Sequence, residues 1–338
     1  MEAMRILFNG AHNMNQNQTS NSSSQPSSLS IWAGMLAIYI AWGSTYLAIR
    51  FAVETIPPFL MAAARFLIAG SILYLFRRLR KDPAPIRIEW RSAAMVGALL
   101  LVGGNGSVVW AETRVPSGIA ALLVGSAPLW MVLIDALRPG GRRPHGWTIA
   151  GVGLGFLGIF VLIGPAQFLG IQGNVDPLGA AALTFAAFIW AVGSLYSRGA
   201  RLPASPLLGT GMEMLAGGLG LLILGTLTGE WSRLDLAAIA PRSLWGLFYL
   251  IVMGSWVGFA AYTWLLRVAP TTLVSTYAYV NPLVAIVMGS WLASEPITPR
   301  ILVASAIIIG SVALITLTLP ATQRAKTVEA AVASADES

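Results

Sequence analysis

Ten apolar stretches, each about as long as a bilayer is thick, recur along this 338-residue chain between short polar gaps. They fall at about 31–50, 59–77, 92–111, 117–137, 147–164, 177–197, 206–226, 244–266, 271–293 and 300–319, and are numbered segments 1 to 10 in that order. A helix that crosses the hydrocarbon layer uses about 20 residues at about 1.5 Å rise each. Ten such helices account for nearly all the apolar residues, which make up 56% of the chain. Charged residues make up only 10%, against roughly 25% in soluble domains, too few to cover a soluble surface of this size. The mean hydropathy of +0.72 agrees. The expected fold class is an all-α polytopic membrane protein with ten transmembrane helices.

The polar remainder sets the topology. From Asn13 to Ser30, 14 of 18 residues are Asn, Gln or Ser, a composition that buries no core, so residues 1–30 are expected to be a disordered tail without the pattern of a signal peptide. Residues 320–338 form a second polar tail. With the N-terminus cytoplasmic, 15 Lys and Arg fall on the inner side and only Arg114, Arg233, Arg242 and Arg300 on the outer. That bias places both termini in the cytoplasm. It also explains the pI near 10.1 without a nucleic-acid partner. Cysteine is absent and the two histidines, His12 and His145, lie outside the apolar segments. Thiolate chemistry is excluded, and no metal site, cofactor or catalytic centre is expected within the bilayer. No phosphate-binding GxxxxGK[ST] occurs, which argues against ATP-driven chemistry. Gly153-Leu-Gly155-Phe-Leu-Gly158 matches a dinucleotide fingerprint by chance, inside an apolar segment with no strand before it. Gly151 and Gly155 read better as a small-xxx-small surface for close helix packing.

The two halves align. Gly43-Ser44-Thr45-Tyr46 matches Gly193-Ser194-Leu195-Tyr196, and Trp110, Pro116 and Pro128 match Trp264, Pro270 and Pro282 at one constant offset. Five segments per half is an odd number, so the repeats, 31–166 and 167–319, insert with opposite orientation. Two inverted five-helix repeats are a recurrent design of secondary transporters, with the substrate site near the midplane between them.

Several motifs carry a family resemblance. Trp42-Gly43-Ser44-Thr45-Tyr46, Arg65-Phe66, Val115-Pro116-Ser117-Gly118-Ile119-Ala120, Glu213-Met214, Tyr277-Ala278-Tyr279-Val280-Asn281-Pro282 and Glu295-Pro296 together resemble the drug/metabolite transporter superfamily. Within it the chain is similar to the ten-span EamA-type permeases, in particular the YedA-like exporters, over residues 31–319. The resemblance implies a bacterial-type inner-membrane location, a cavity lined by segments 1–4 and 6–9, and export of small metabolites such as amino acids, or of amphiphilic compounds. Where the family commonly has a second Glu-Pro-like pair after segment 4, this chain has Gly141-Arg142, so any role of Glu295 is not duplicated.

Charged residues inside spans are costly, which singles out Arg65 in segment 2 and Glu213 in segment 7. Arg65 either snorkels or pairs structurally, for instance with Glu112 at the end of segment 3, or serves the transport site. Glu213 is a candidate proton or substrate-cation site. Glu112 and Asp135, at span ends within reach of water, read first as interfacial, although Glu112 is kept as a candidate intramembrane charge. Glu54 and Glu295 are expected to be exposed on the outer face. Pro128 and Pro282, near the middle of their segments, are candidate helix breaks that free a carbonyl toward a cavity. Trp42, Tyr46, Trp190, Tyr196, Tyr277 and Asn281 are candidate substrate-binding residues, Trp42 and Trp190 because they sit too deep to be interface anchors like Trp110 and Trp264. Asn105 either lines the cavity or lies among the packing glycines Gly103, Gly104 and Gly106.

The expected activity is therefore secondary, non-ATP transport of a small-molecule substrate in a lipid bilayer, by alternating access, as a monomer or homodimer. An importer or exchanger of phosphorylated or nucleotide-linked metabolites is the nearest alternative. It is disfavoured by the single arginine deep in a span. A membrane receptor or scaffold is disfavoured by the lack of a soluble domain.

Overall fold

The computed structural model of the chain describes residues 27–137, 146–163, 175–197, 199–269, 271–274 and 276–318. Every regular element among them is helical. Eight helices are long and apolar enough to cross a membrane: Ser28–Ala52, Pro58–Leu79, Arg87–Ala111, Ser117–Leu137, Gly146–Ile163, Pro177–Ser197, Pro206–Leu227 and Pro241–Tyr262. They correspond to segments 1 to 8. Segments 9 and 10 contain shorter apolar helices, Val280–Ala293 and Pro299–Ile315. Side chains such as Ile72, Ile223, Val287 and Val303 are exposed on the flanks, as a surface that meets lipid requires.

Helix starts follow the local chemistry. The Ser27 hydroxyl accepts the Ser30 N–H at 3.2 Å and caps a helix that begins at Ser28, so the last residues of the expected tail are helical. Pro58, Pro206 and Pro241 each open a helix where a missing N–H costs nothing. The rest of the N-terminal tail, residues 320–338, His12, His145 and Gly141-Arg142 lie outside the described residues.

The interruptions fall differently from expectation. Segment 4 breaks at Gly125-Ser126 between the helices Ser117–Val124 and Ala127–Leu137. Pro128 is thus in the first turn of the second helix, where it is tolerated, and not in mid-helix. Pro282 does lie inside the helix Tyr277–Ala293. The break at Gly125 and the Pro282 ring do meet, because a Cβ on Gly125 would stand 3.1 Å from that ring. Two further irregularities were not foreseen. Segments 3 and 8 each pass through an eight-residue π-helical stretch, Ala98–Asn105 and Leu250–Val257. In each the next glycine N–H reaches five residues back, Gly106 to Leu101 and Gly258 to Met253. Such stretches are rare and concentrate at functional sites.

The strongest packing joins first-half to second-half segments: 2 with 7, 5 with 10, 3 with 6 and 7, 4 with 6 and 9, and 1 with 8 and 9. Glycine makes the closest of these possible. In the pairing of segments 5 and 10, a Cβ on Gly151 would stand 2.7 Å from Ile315 and one on Gly158 2.7 Å from Ile308. Gly153, two residues from both Gly151 and Gly155, has no neighbour within 4 Å. The small-residue reading of Gly151 and Gly155 therefore holds, with Gly155 pressed against Leu129 of segment 4 as well.

Candidate functional site

Two groups of polar and aromatic side chains lie inside the bundle, and a third closes one rim. The first surrounds Trp42. Its ring packs against Phe259 at 5.6 Å, Tyr262 at 5.1 Å and Tyr277 at 5.2 Å between centroids, so three segments contribute to one aromatic cluster. The Trp42 Nε1–H donates to the Gly254 carbonyl at 3.2 Å, in the π-helical stretch of segment 8. Gly258, at the end of that stretch, must be glycine: a Cβ there would be 2.2 Å from Trp42 Nε1. Asn281 is buried beside the cluster with its Oδ1 unpartnered, and its carbonyl faces Gly43.

Arg65 adjoins the same stretch. Its Nε–H donates to Ser255 Oγ at 3.1 Å, and its guanidinium lies 4.8 Å from the Phe66 ring centroid. A Cβ on Gly254 would stand 2.8 Å from its Nη2. The side chain is buried, Nη1 has no hydrogen-bond partner, and among the described residues no carboxylate pairs with it. The expected alternative pairing with Glu112 is not formed.

The second group is smaller. Gly104 packs on the Trp190 ring and Gly103 on Ile189, beside Asn105, whose buried Oδ1 lacks a partner. Trp130 of segment 4 packs edge-on against Phe156 and Phe188. Tyr196 does not join either group: it is 44% exposed, one turn beyond the buried stretch of its helix. Glu213 is half-buried on segment 7 and has no ion pair among the described residues. Asp135 is likewise half-buried.

At one rim, two carboxylates from the second half cap helix N-termini of the first. Glu295 accepts the Ser117 N–H at 2.8 Å, the Ser117 hydroxyl at 2.9 Å and the Gly118 N–H at 3.2 Å. Glu230, fully buried, accepts the Phe59 and Leu60 N–H groups at 3.2 and 2.9 Å. Helix N-termini present unsatisfied donors and positive dipole ends, so both contacts are charge-assisted. Ser294, left-handed at φ 53°, ends segment 9 and turns Glu295 back toward segment 4. Gly289 leaves it room, since a Cβ there would stand 2.5 Å from Glu295 Oε2. Glu295 is thus engaged and half-buried where it was expected to be exposed. Glu54 is exposed as expected and pairs with Arg242 at 3.6 Å. A cavity of about 280 Å³ opens between Arg50, Glu54, Arg242 and Glu295. Glu112, expected within reach of water, is fully buried behind them. Tyr46 is half-buried against the core on the segment-1 side.

At the opposite rim Asp82 accepts from Arg77 at 2.8 Å through both oxygens. The Arg77 hydrogen bonds, with another from Ser205 at the start of segment 7, hold its carboxyl below the usual range. Ser205 is also the cap of segment 7, so this loop carboxylate again ties one half to a helix start of the other.

Glu295→Ala should loosen the first rim. It strands two backbone donors and one hydroxyl, a loss of about 1–2 kcal/mol by analogy with N-cap removal. Because the chain has no native cysteine, a Val115→Cys probe, at a fully buried position, reports opening cleanly. Thiol labelling should quicken several-fold when Glu295→Ala is added, and an unchanged rate would mean the contact does not hold the rim closed.

Sequence reasoning missed Phe259, Ser255, Gly254, Arg50 and Glu230. Only Arg50 carried a signal, as a second arginine inside a span. The comparisons with known proteins agree in direction. The pattern of the EamA-like transporter family matches residues 29–164 and 177–317. An uncharacterized inner membrane transporter of Escherichia coli K12, YedA, is 37% identical over 291 residues, covering 86% of this chain and 91% of its own. An uncharacterized transporter of Bacillus subtilis, YvbV, is 23% identical over 278 residues, covering 82% of this chain and 88% of its own. A solved crystal structure superposes with a TM-score of 0.57 at 21% identity, covering 85% of this chain and 98% of that one; the likeness is one of fold.

Proposed function

The chain belongs to the EamA-like transporter family, a multi-pass inner-membrane transporter by its relatives and its apolar helices, and from that premise we propose that it is a secondary exporter of small carboxylate-bearing metabolites such as amino acids. In this proposal ten spans form two inverted five-helix repeats, both termini are cytoplasmic, and the rim closed by Glu230 and Glu295 faces outward. Several features support the repeat. The helix pairings are preserved when each segment is exchanged for the one five places along: 1 with 8 becomes 6 with 3, 1 with 9 becomes 6 with 4, and 2–7, 4–9 and 5–10 map onto themselves. The π-helical stretches of segments 3 and 8 are counterparts under the same exchange, as are the Asp82 and Glu230 contacts.

The observation that carries the substrate class is Arg65, a buried guanidinium with a free Nη1 and no carboxylate partner among the described residues, set between segments 2 and 8. An unpaired charge at that depth costs several kcal/mol, a cost that an anionic ligand group offsets. One guanidinium neutralises a carboxylate and leaves a phosphate dianion uncompensated, which speaks against phosphorylated solutes. The neighbouring rings of Trp42, Tyr262 and Tyr277 suit the apolar or cationic remainder of such a molecule.

Counterflow in proteoliposomes tests this reading. Vesicles loaded with unlabelled amino acids should accumulate labelled amino acids above the protein-free control. They should not accumulate the corresponding amines, which lack the carboxylate. Equal handling of acids and amines, or no exchange by folded protein, would sink the proposed substrate class.

A further inference from the structure

A carboxyl group buried in the bundle needs hydrogen-bond donors or a cation if it is to stay charged. Glu230 and Glu295 have them. Glu112, one residue beyond the apolar stretch Arg87–Ala111, has neither. Its side chain is 0% exposed, and both Oε1 and Oε2 are without any hydrogen-bond partner. A cation does stand close by, but it is turned aside: the Arg50 Nη1–H donates to the Glu112 main-chain carbonyl at 2.7 Å. Among the described residues, the other titratable groups that act on it are Tyr46 of segment 1 and Glu295 on the loop after segment 9. Arg114, two residues on, is engaged with the Trp110 ring and with Asp176.

From this geometry we infer that Glu112 is a proton-binding site, occupied in the closed-rim conformation and emptied when the rim opens. Burial, with added repulsion from Glu295 and only partial relief from Arg50, holds its carboxyl well above the usual carboxylate range. When segment 4 parts from Glu295, water enters. The Glu112 O–H bond then breaks, the proton passes to that water, and the carboxylate left behind finds the Arg50 guanidinium beside it. Each opening thus releases one proton on that side, and each closing takes one up. As a coupling device this rests on the transporter reading; as a proton site it does not.

The sign follows. A carboxyl whose affinity for the proton is raised in the closed form favours that form below its ordinary pKa. The advantage is lost as pH rises through the raised value.

Infrared difference titration of the protein in lipid vesicles reads the site without any substrate. Wild type at pH 7 should show the carbonyl stretch of a protonated, weakly hydrogen-bonded carboxylic acid. Glu112→Gln, which resembles the neutral form in shape and should fold normally, should lose that band, and Glu213→Gln should keep it. If no band present at pH 7 disappears in Glu112→Gln, the proton site is overturned. The link to opening has its own test in Gly289→Ala, whose methyl displaces Glu295 from Ser117 while both carboxylates remain. The Glu112 band should then titrate at least about one pH unit lower, about a tenfold loss of proton affinity. An unshifted midpoint, with Val115→Cys labelling showing that the rim has opened, would overturn the link. A failed counterflow experiment alongside a normal band would discredit the substrate proposal and leave the proton site standing.

Discussion

Transport of amino acids by Arg65→Gln should fall about 10- to 100-fold below wild type, with little change in thermal stability. The size follows from one charge-assisted hydrogen bond to the substrate, worth about 1.5–3 kcal/mol, at about 1.4 kcal/mol per tenfold. The stability half of the expectation separates binding from scaffolding. Removing Arg65 strands no carboxylate, because none pairs with it among the described residues. Ser255 loses a donor but keeps its own bond to the Leu250 carbonyl at 3.2 Å. Taking an unpaired guanidinium out of the membrane interior is neutral or favourable on its own. Arg65→Lys should recover part of the activity, since it retains the charge but not the planar fork. Melting curves and initial uptake rates on the three proteins decide the matter. A lower melting temperature with undiminished uptake would make Arg65 structural.

The largest loss of stability is expected at Gly97. A Cβ there would stand 2.5 Å from the Glu213 carbonyl oxygen and 3.0 Å from the Gly217 nitrogen, both backbone atoms that no rotamer change can move. Gly217 answers from the other side, where a Cβ would meet Leu101 at 2.7 Å. Segments 3 and 7 touch main chain to main chain, so Gly97→Val must push two helices apart. The expected cost is about 3 kcal/mol or more, the upper end for overpacked interiors. Gly153→Val is the control: its site is open, and the lipid-facing methyls should be tolerated. Comparable melting temperatures for the two variants would refute the packing account. The loss at Gly97 also bears on function, for it displaces segment 3 just before its π-helical stretch.

Much of this protein was legible along the chain because lipid imposes a one-dimensional rule. In the absence of water each spanning stretch must be a helix of a set length, so segments 1 to 8 could be placed to within a few residues. Segment 9 was harder. It holds two helices, Thr271–Val274 and Tyr277–Ala293, the second starting five residues before the proline that drew attention. Pro128 misled in the same way, since proline marks where a helix is permitted to break, and neighbours decide where it does. Trp42 and Tyr277 were found as candidates and do meet at Tyr262 of segment 8, while Asn281 lies against Gly43 of segment 1. Tyr196, chosen as an aromatic ring near the end of its span, is exposed, because position along a helix does not fix the side a residue presents.

The carboxylates divide along the same line. Composition and periodicity by themselves determined that this chain is a helical membrane protein, where segments 1 to 8 lie to within a few residues, and that deep charges such as Arg65 and Glu213 call for an explanation. Those are properties of each residue and its near neighbours in the chain. Only the tertiary structure decided that Glu295 and Glu230 cap helices from the other half, that Glu112 is sealed from water with neither oxygen partnered, and that Arg65 meets a π-helical turn. Each of these depends on which atoms arrive from segments more than a hundred residues away. Hydrogen bonding and desolvation act over a few ångströms, so their outcome is set by that arrival and not by the order of residues along the chain.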